Sequence, residues 1–103
     1  MTGFSDQMSA RFLTFAVNLF NLEKQICKRY ACRYNYGQLF RSGTSGGANY
    51  EEVRAGESTA DFILKMQISL KELRESHFWT GLIYAAKLID SQDGALSLIH
   101  KES

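Results

Sequence analysis

The chain has 103 residues, 45% hydrophobic and 22% charged, with seven Phe, five Tyr, one Trp and a formal net charge of +1. That is the length of one domain, too apolar for disorder and too short for a catalytic domain beside a binding domain. No apolar run reaches the roughly eighteen residues of a membrane helix: Asn18, Asn21 and Glu23 interrupt the longest candidate, and the N-terminus lacks the basic start and apolar stretch of a signal peptide.

There is no proline, which permits long helices. A first helix is predicted over about 5–30, capped by Ser5 or Asp6. Met8, Phe12, Phe15, Ala16, Leu19, Leu22, Ile26 and Tyr30 recur along it at three- and four-residue spacing as one core-facing stripe. Leu13, Phe20 and Cys27 form a second row, which implies either wide burial or contact with another chain. Cys27 and Cys32, five residues apart on or near a helix end, do not face each other well. No disulfide is implied, and the cytoplasm is the expected compartment.

A connector is expected around 32–35, with Asn35 as the next N-cap. Arg29 and Arg33 then lie near the preceding helix's C-terminus, the favourable end for positive charge. The second helix covers about 36–55, with Leu39, Gly43, Gly46 or Gly47, Tyr50 and Val53 inward and Gly56 at its C-terminal stop. The third runs over about 59–89, starting after Ser58 or Thr59. Its inward stripe reads Phe62, Ile63, Met66, Leu70, Leu73, His77, Gly81, Tyr84 and Leu88. Residues 95–100 give barely two further turns. The expected fold is all-α, an antiparallel up-and-down four-helix bundle with a short fourth helix. So short a helix leaves an apolar groove, with Leu13, Phe20, Leu82 and Ile89 as side chains buried only on assembly.

The run Arg41 to Glu52, RSGTSGGANYEE, has the glycines of a phosphate loop but neither its Gly-Lys-Ser/Thr ending nor a preceding strand. It reads instead as a helix thinned for close packing at Gly43, Gly46 and Gly47. Glu72 and Glu75 stand five and two residues from His77, not at the Glu-x-x-His spacing of metal-binding bundles, so no metal and no other cofactor is expected. No nucleophile, base and orienting group share a recognisable context, and the expectation is a protein that is not an enzyme.

One segment carries a functional expectation. From Lys24 to Arg41 there are five basic residues, Lys24, Lys28, Arg29, Arg33 and Arg41, and no acidic one, while from Ser42 onward nine acids outnumber six bases. Antiparallel first and second helices would gather these cations at one end, interleaved with Tyr30, Tyr34 and Tyr36, which can stack on unpaired bases. The bland alternative is a solvated helix end, its cations placed to suit the helix dipole.

Arg41-Ser42-Gly43-Thr44-Ser45, Ala48-Asn49-Tyr50-Glu51-Glu52, Glu57-Ser58, Asp61-Phe62, and Leu70-Lys71-Glu72 with Arg74-Glu75 and Trp79 form an ordered series over the second and third helices. In these positions the chain resembles the bacterial four-helix-bundle proteins encoded within intervening sequences of 23S ribosomal RNA genes. The resemblance implies an up-and-down four-helix bundle and a homopentamer. It also extends, in fold, to the accessory proteins of diversity-generating retroelements, which bind RNA and a reverse transcriptase through basic surfaces. Gly46 stands where that pattern has an aliphatic residue, so either a tight contact or a loosened turn is expected there.

The expected function is therefore a homo-oligomeric helical scaffold binding RNA or single-stranded nucleic acid through phosphate contacts. The alternative is a module whose apolar groove receives a helix from a protein partner or a second copy, without nucleic acid.

Overall fold

The structure, a computed structural model, describes residues 2–56 and 58–89; the expected helix at 95–100 lies outside the described residues. Three helices follow in chain order: α1 (Thr2–Leu22), α2 (Tyr30–Arg54) and α3 (Thr59–Ala86), with a 3-10 turn at Glu23–Gln25. The described fold is all-α.

α2 packs against both of the others, and the pairings set the directions. Ser5 meets Tyr50, Phe12 meets Tyr50 and Leu19 meets Tyr36, so α1 and α2 are antiparallel. Ser69 meets Gly46, Ser76 meets Ser42 and Trp79 meets Tyr34, so α2 and α3 are antiparallel too.

The first helix ends eight residues before the expected Tyr30. Ile26 turns to extended backbone and forms an isolated antiparallel bridge with Ile89, where the Cys27 N–H donates to the Leu88 carbonyl at 3.0 Å. Both isoleucines are buried there, so the apolar stripe persists to Ile26 although the helix does not. α2 consequently starts at Tyr30. Asn35, expected as its N-cap, is instead buried in the second turn, with no hydrogen-bond partner among the described residues for its side-chain oxygen or nitrogen.

The same turn corrects the expectation about the thiols. Cys27 and Cys32 are not on one helix: Cys27 lies in the bend and Cys32 in the first turn of α2, their Cα atoms 5.7 Å apart, and they form a disulfide.

α3 shows the largest departure. Its buried residues are Ser69, Glu72, Ser76, Thr80 and Ile83, each one position before Leu70, Leu73, His77, Gly81 and Tyr84 of the expected stripe. A one-residue shift turns a helix by about 100°. Phe62, Ile63, Leu70 and Tyr84 are exposed as a result. The side of α2 that meets α3 presents the small residues Ser42 and Gly46, both buried. Small hydroxyl side chains fit and satisfy themselves: Ser76 Oγ contacts Ser42 Oγ at 2.9 Å and donates to the Glu72 carbonyl, while Ser69 donates to the Gly46 carbonyl at 2.9 Å. The start of α3 is as expected, with Ser58 Oγ accepting from the Asp61 N–H at 3.1 Å.

Gly43 and Gly47 face α1. A Cβ at Gly43 would overlap Leu19 Cδ1 and lie 3.0 Å from Phe15 Cε2, and one at Gly47 would lie 3.1 Å from Phe12 Cβ. At Gly46 a Cβ would meet Leu73 and Glu72 at an ordinary 3.6–3.7 Å, inside an unbroken helix. Gly46 marks neither a tight contact nor a loosened turn.

Tyr36 ties the helices together beneath the bend. Its hydroxyl donates to the Leu19 carbonyl at 2.6 Å, in the last turn of α1, where carbonyls run out of helical donors. Burial first, and the Glu23 carboxylate second, push its pKa up to about 12. An unfolded tyrosine ionises near 10. The neutral form is thus favoured by folding, and its contribution is complete below pH 10 and lost as pH rises toward 12. We expect urea unfolding at pH 9 and pH 11.5 to show an alkaline loss, at most about 3 kcal/mol. Tyr36→Phe should abolish that loss and cost about 1 kcal/mol at neutral pH. An unchanged alkaline profile in the variant would assign the loss to other groups.

Candidate nucleic-acid interface

The bend at 26–29 places charge where a helix disfavours it. The sequence led us to expect Arg29 and Arg33 at the C-terminal end of a helix; they stand instead at the N-terminus of α2, Arg29 as N-cap and Arg33 in the first turn, with Lys28 just before. That end of a helix is electropositive, so each added cation costs a few tenths of a kcal/mol up to about 1 kcal/mol. Among the described residues nothing at that end of α2 offsets the cost. Arg29 has extended backbone and makes no capping hydrogen bond through its side chain, and no acid stands in the first turn. The reading of these cations as an ordinary, dipole-stabilised helix end therefore loses its physical basis.

Beside this helix start is an open depression of about 730 Å³, walled by Lys24, Lys28, Arg33, Tyr30 and Tyr34, with Tyr36 and Phe40 deeper and Glu23 and Cys27 also in its lining. Lys24, Lys28, Arg29 and Arg33 are all exposed, and none is ion-paired among the described residues. Among the described residues Glu23 is the single carboxylate in the lining. The arrangement can accept phosphate oxygens at several points without first breaking an internal pair.

The other residues named from sequence are dispersed. Arg41 is not in the depression; its guanidinium reaches Glu72 at 3.1 Å and Glu75 at 2.6 Å, so α3 already neutralises it. Tyr34 is exposed and Tyr30 strongly so, whereas Tyr36 is buried and committed to Leu19. Leu13, Phe20 and Leu82 are exposed, but Ile89 is buried in the chain's own core. Leu13 borders an apolar groove of about 410 Å³ between α1 and α2, with Ala10, Ala16, Gly47 and Ala48.

Two aromatic residues beyond those named from sequence adjoin the site: Trp79 stands edge-on to Tyr34, centroids 6.3 Å apart, and Phe78 edge-on to Trp79 at 5.0 Å. Only the antiparallel register of α2 and α3 brings them together, and no spacing in the sequence reveals it.

Fold and site together define an antiparallel helical protein with a cationic, tyrosine-walled end, in which no helix among the described residues is long and apolar enough to cross a membrane. A crystal structure of a protein of unknown function from the S23 ribosomal protein family, from Bacteroides thetaiotaomicron VPI-5482, is similar to it. The two share 33% identity over 95% of this chain and 86% of that one, with a TM-score of 0.81. The chain belongs to the S23 ribosomal protein family. No family model matches the chain, and no curated protein does.

Proposed function

We propose that the protein is a non-enzymatic, homo-oligomeric helical scaffold that binds RNA or single-stranded nucleic acid through Lys24, Lys28, Arg29 and Arg33. The observation that carries this reading is the crowding of Lys28, Arg29 and Arg33, none of them ion-paired among the described residues, at a helix N-terminus without a side-chain cap, a placement that works against the fold and suits an anion. Their work is backbone contact, which gives affinity with little sequence preference. A few cations per protomer bind weakly; repeated around a ring they bind strongly and with steep salt dependence. We take the ring to be a pentamer and the chain to share descent with proteins of 23S ribosomal RNA intervening sequences and, more distantly, with retroelement accessory proteins.

Assembly has its own support. Leu13, Val17 and Phe20 on α1, and Phe62, Ile63 and Leu64 on α3, all remain exposed, more apolar surface than a solitary domain of this size ordinarily leaves open. A self-assembly or protein-binding module without nucleic acid is the second reading, and this apolar surface is what favours it. We place the protein in the cytoplasm, where disulfides rarely persist, so the Cys27–Cys32 bond would there be open to thiol exchange.

The deciding experiment measures the affinity of the oligomer, its mass fixed by light scattering, for a labelled single-stranded RNA at rising salt. A log–log slope of about −0.7 per phosphate contact is expected. Lys24→Gln, Lys28→Gln and Arg33→Gln should each flatten it. A flat salt profile, or variants that bind like the parent protein, would leave the assembly module as the surviving reading.

A further inference from the structure

We infer that the binding surface selects unpaired, base-bearing strands, and that the selecting element is a ladder of four aromatic rings running from the depression onto α3. The inference rests on the nucleic-acid reading above. Tyr30 and Tyr34 wall the depression, with ring centroids 6.1 Å apart. From Tyr34 the series continues to Trp79 at 6.3 Å and to Phe78 at 5.0 Å. Three of these rings are open to solvent, Tyr30 at 80%, Phe78 at 61% and Tyr34 at 51% of their full exposure, while Trp79 packs partly against the core and holds the row in place.

Rings this exposed leave ring surface free, and the surface of an aromatic ring is what a nucleobase stacks on. A duplex keeps its bases stacked on one another about 3.4 Å apart, with no face free inside the stack for a protein ring. An unpaired strand has base faces free to stack on such rings. The cations settle which class of macromolecule the rings serve, because Lys28 and Arg33 stand beside Tyr30 and Tyr34 in one wall, as a strand of alternating phosphates and bases requires. An apolar helix from a protein would have to bury those charges without partners.

Trp79 is the only tryptophan, so its fluorescence reports on the ladder directly. The test titrates the intact oligomer with an oligouridylate, an abasic strand of the same length and charge, and a duplex. A second protein carries Tyr30→Ala, Tyr34→Ala and Phe78→Ala, all at exposed positions. The expected result is quenching of Trp79 by the oligouridylate, binding to it at least about tenfold tighter than to the abasic strand or the duplex, and loss of that preference in the variant. Equal, salt-sensitive binding of all three ligands without quenching would overturn the ladder and leave the cationic surface standing. If none binds, the cationic reading falls first and takes the ladder with it. If the variant keeps its preference but changes oligomeric mass, the rings are a protein contact and the inference is wrong.

Discussion

Arg29→Asp is expected to make the protein more stable and a poorer binder of single-stranded RNA. Arg29 is the N-cap of α2, already in the extended conformation that a capping residue uses, yet it makes no capping hydrogen bond. Aspartate there accepts from the free N–H groups of the first turn, a gain of about 1 kcal/mol. It also replaces a cation by an anion at the positive end of the helix, adding about 0.5 kcal/mol. For a domain of this size that amounts to a rise in Tm of about 5–10 °C. Binding moves the other way, since a phosphate contact becomes a repulsion. Arg29→Asp with Lys24→Gln, Lys28→Gln and Arg33→Gln should lose at least about a hundredfold in affinity at 0.1 M salt. Arg54, paired with Asp6 at the far end of the bundle, supplies the control: Arg54→Gln should leave binding unchanged. Opposite signs for stability and binding are what a functional charge predicts. If Arg29→Asp lowers both, Arg29 is holding the connector in place and the argument from its position fails.

How far the sequence led can be argued from these same residues. Periodicity identified the buried sides of α1 and α2 well, because Phe12, Phe15, Leu19, Leu22, Leu39, Tyr50 and Val53 are large, apolar and regularly spaced. On α3 the same rule pointed one residue away from the buried side. Ser69 and Ser76, which bond to Gly46 and Ser42 of α2, are buried there, small polar side chains that an apolar stripe passes over. The bend at 26–29 was also hidden. No Pro or Gly marks it, and its stabilising partners, Leu88 and Ile89, are some sixty residues away in sequence. Missing the bend concealed both the disulfide and the change in meaning of the basic segment. Lys24, Lys28, Arg29 and Arg33 were visible as charges; that the last three gather at a helix N-terminus was not. Arg41 looked the same in the sequence, and only the register of α3 reveals Glu72 and Glu75 beside it.

Tyr36, Gly43 and Tyr50 lie at seven-residue intervals on the side of α2 that meets α1, and the middle position sets the distance between the two helices. Gly43→Ala should therefore cost about 1–2 kcal/mol: overpacking against the buried Leu19 and Phe15 costs about 1–3, and the better helix propensity of alanine returns up to about 1. Leu19→Ala alone leaves a cavity at a fully buried site and should cost about 3–5 kcal/mol. Together the two should not add. The Cβ at position 43 enters the space that Leu19 Cδ1 vacates, so the double variant should unfold at higher urea than Leu19→Ala by itself, with a favourable coupling of about 1–3 kcal/mol. Gly46→Ala, one turn on but facing α3 with room for a methyl group, should stabilise by up to about 1 kcal/mol. Similar costs at 43 and 46 would refute the close approach of α1 to α2. The effect should reach the binding end as well, because the gap opened at Gly43 is the one the Tyr36 hydroxyl must span to Leu19 under the floor of the depression. In Gly43→Ala the loss of stability above pH 10 should shrink, since a tyrosine that no longer reaches its acceptor, and is better hydrated, ionises closer to its ordinary value.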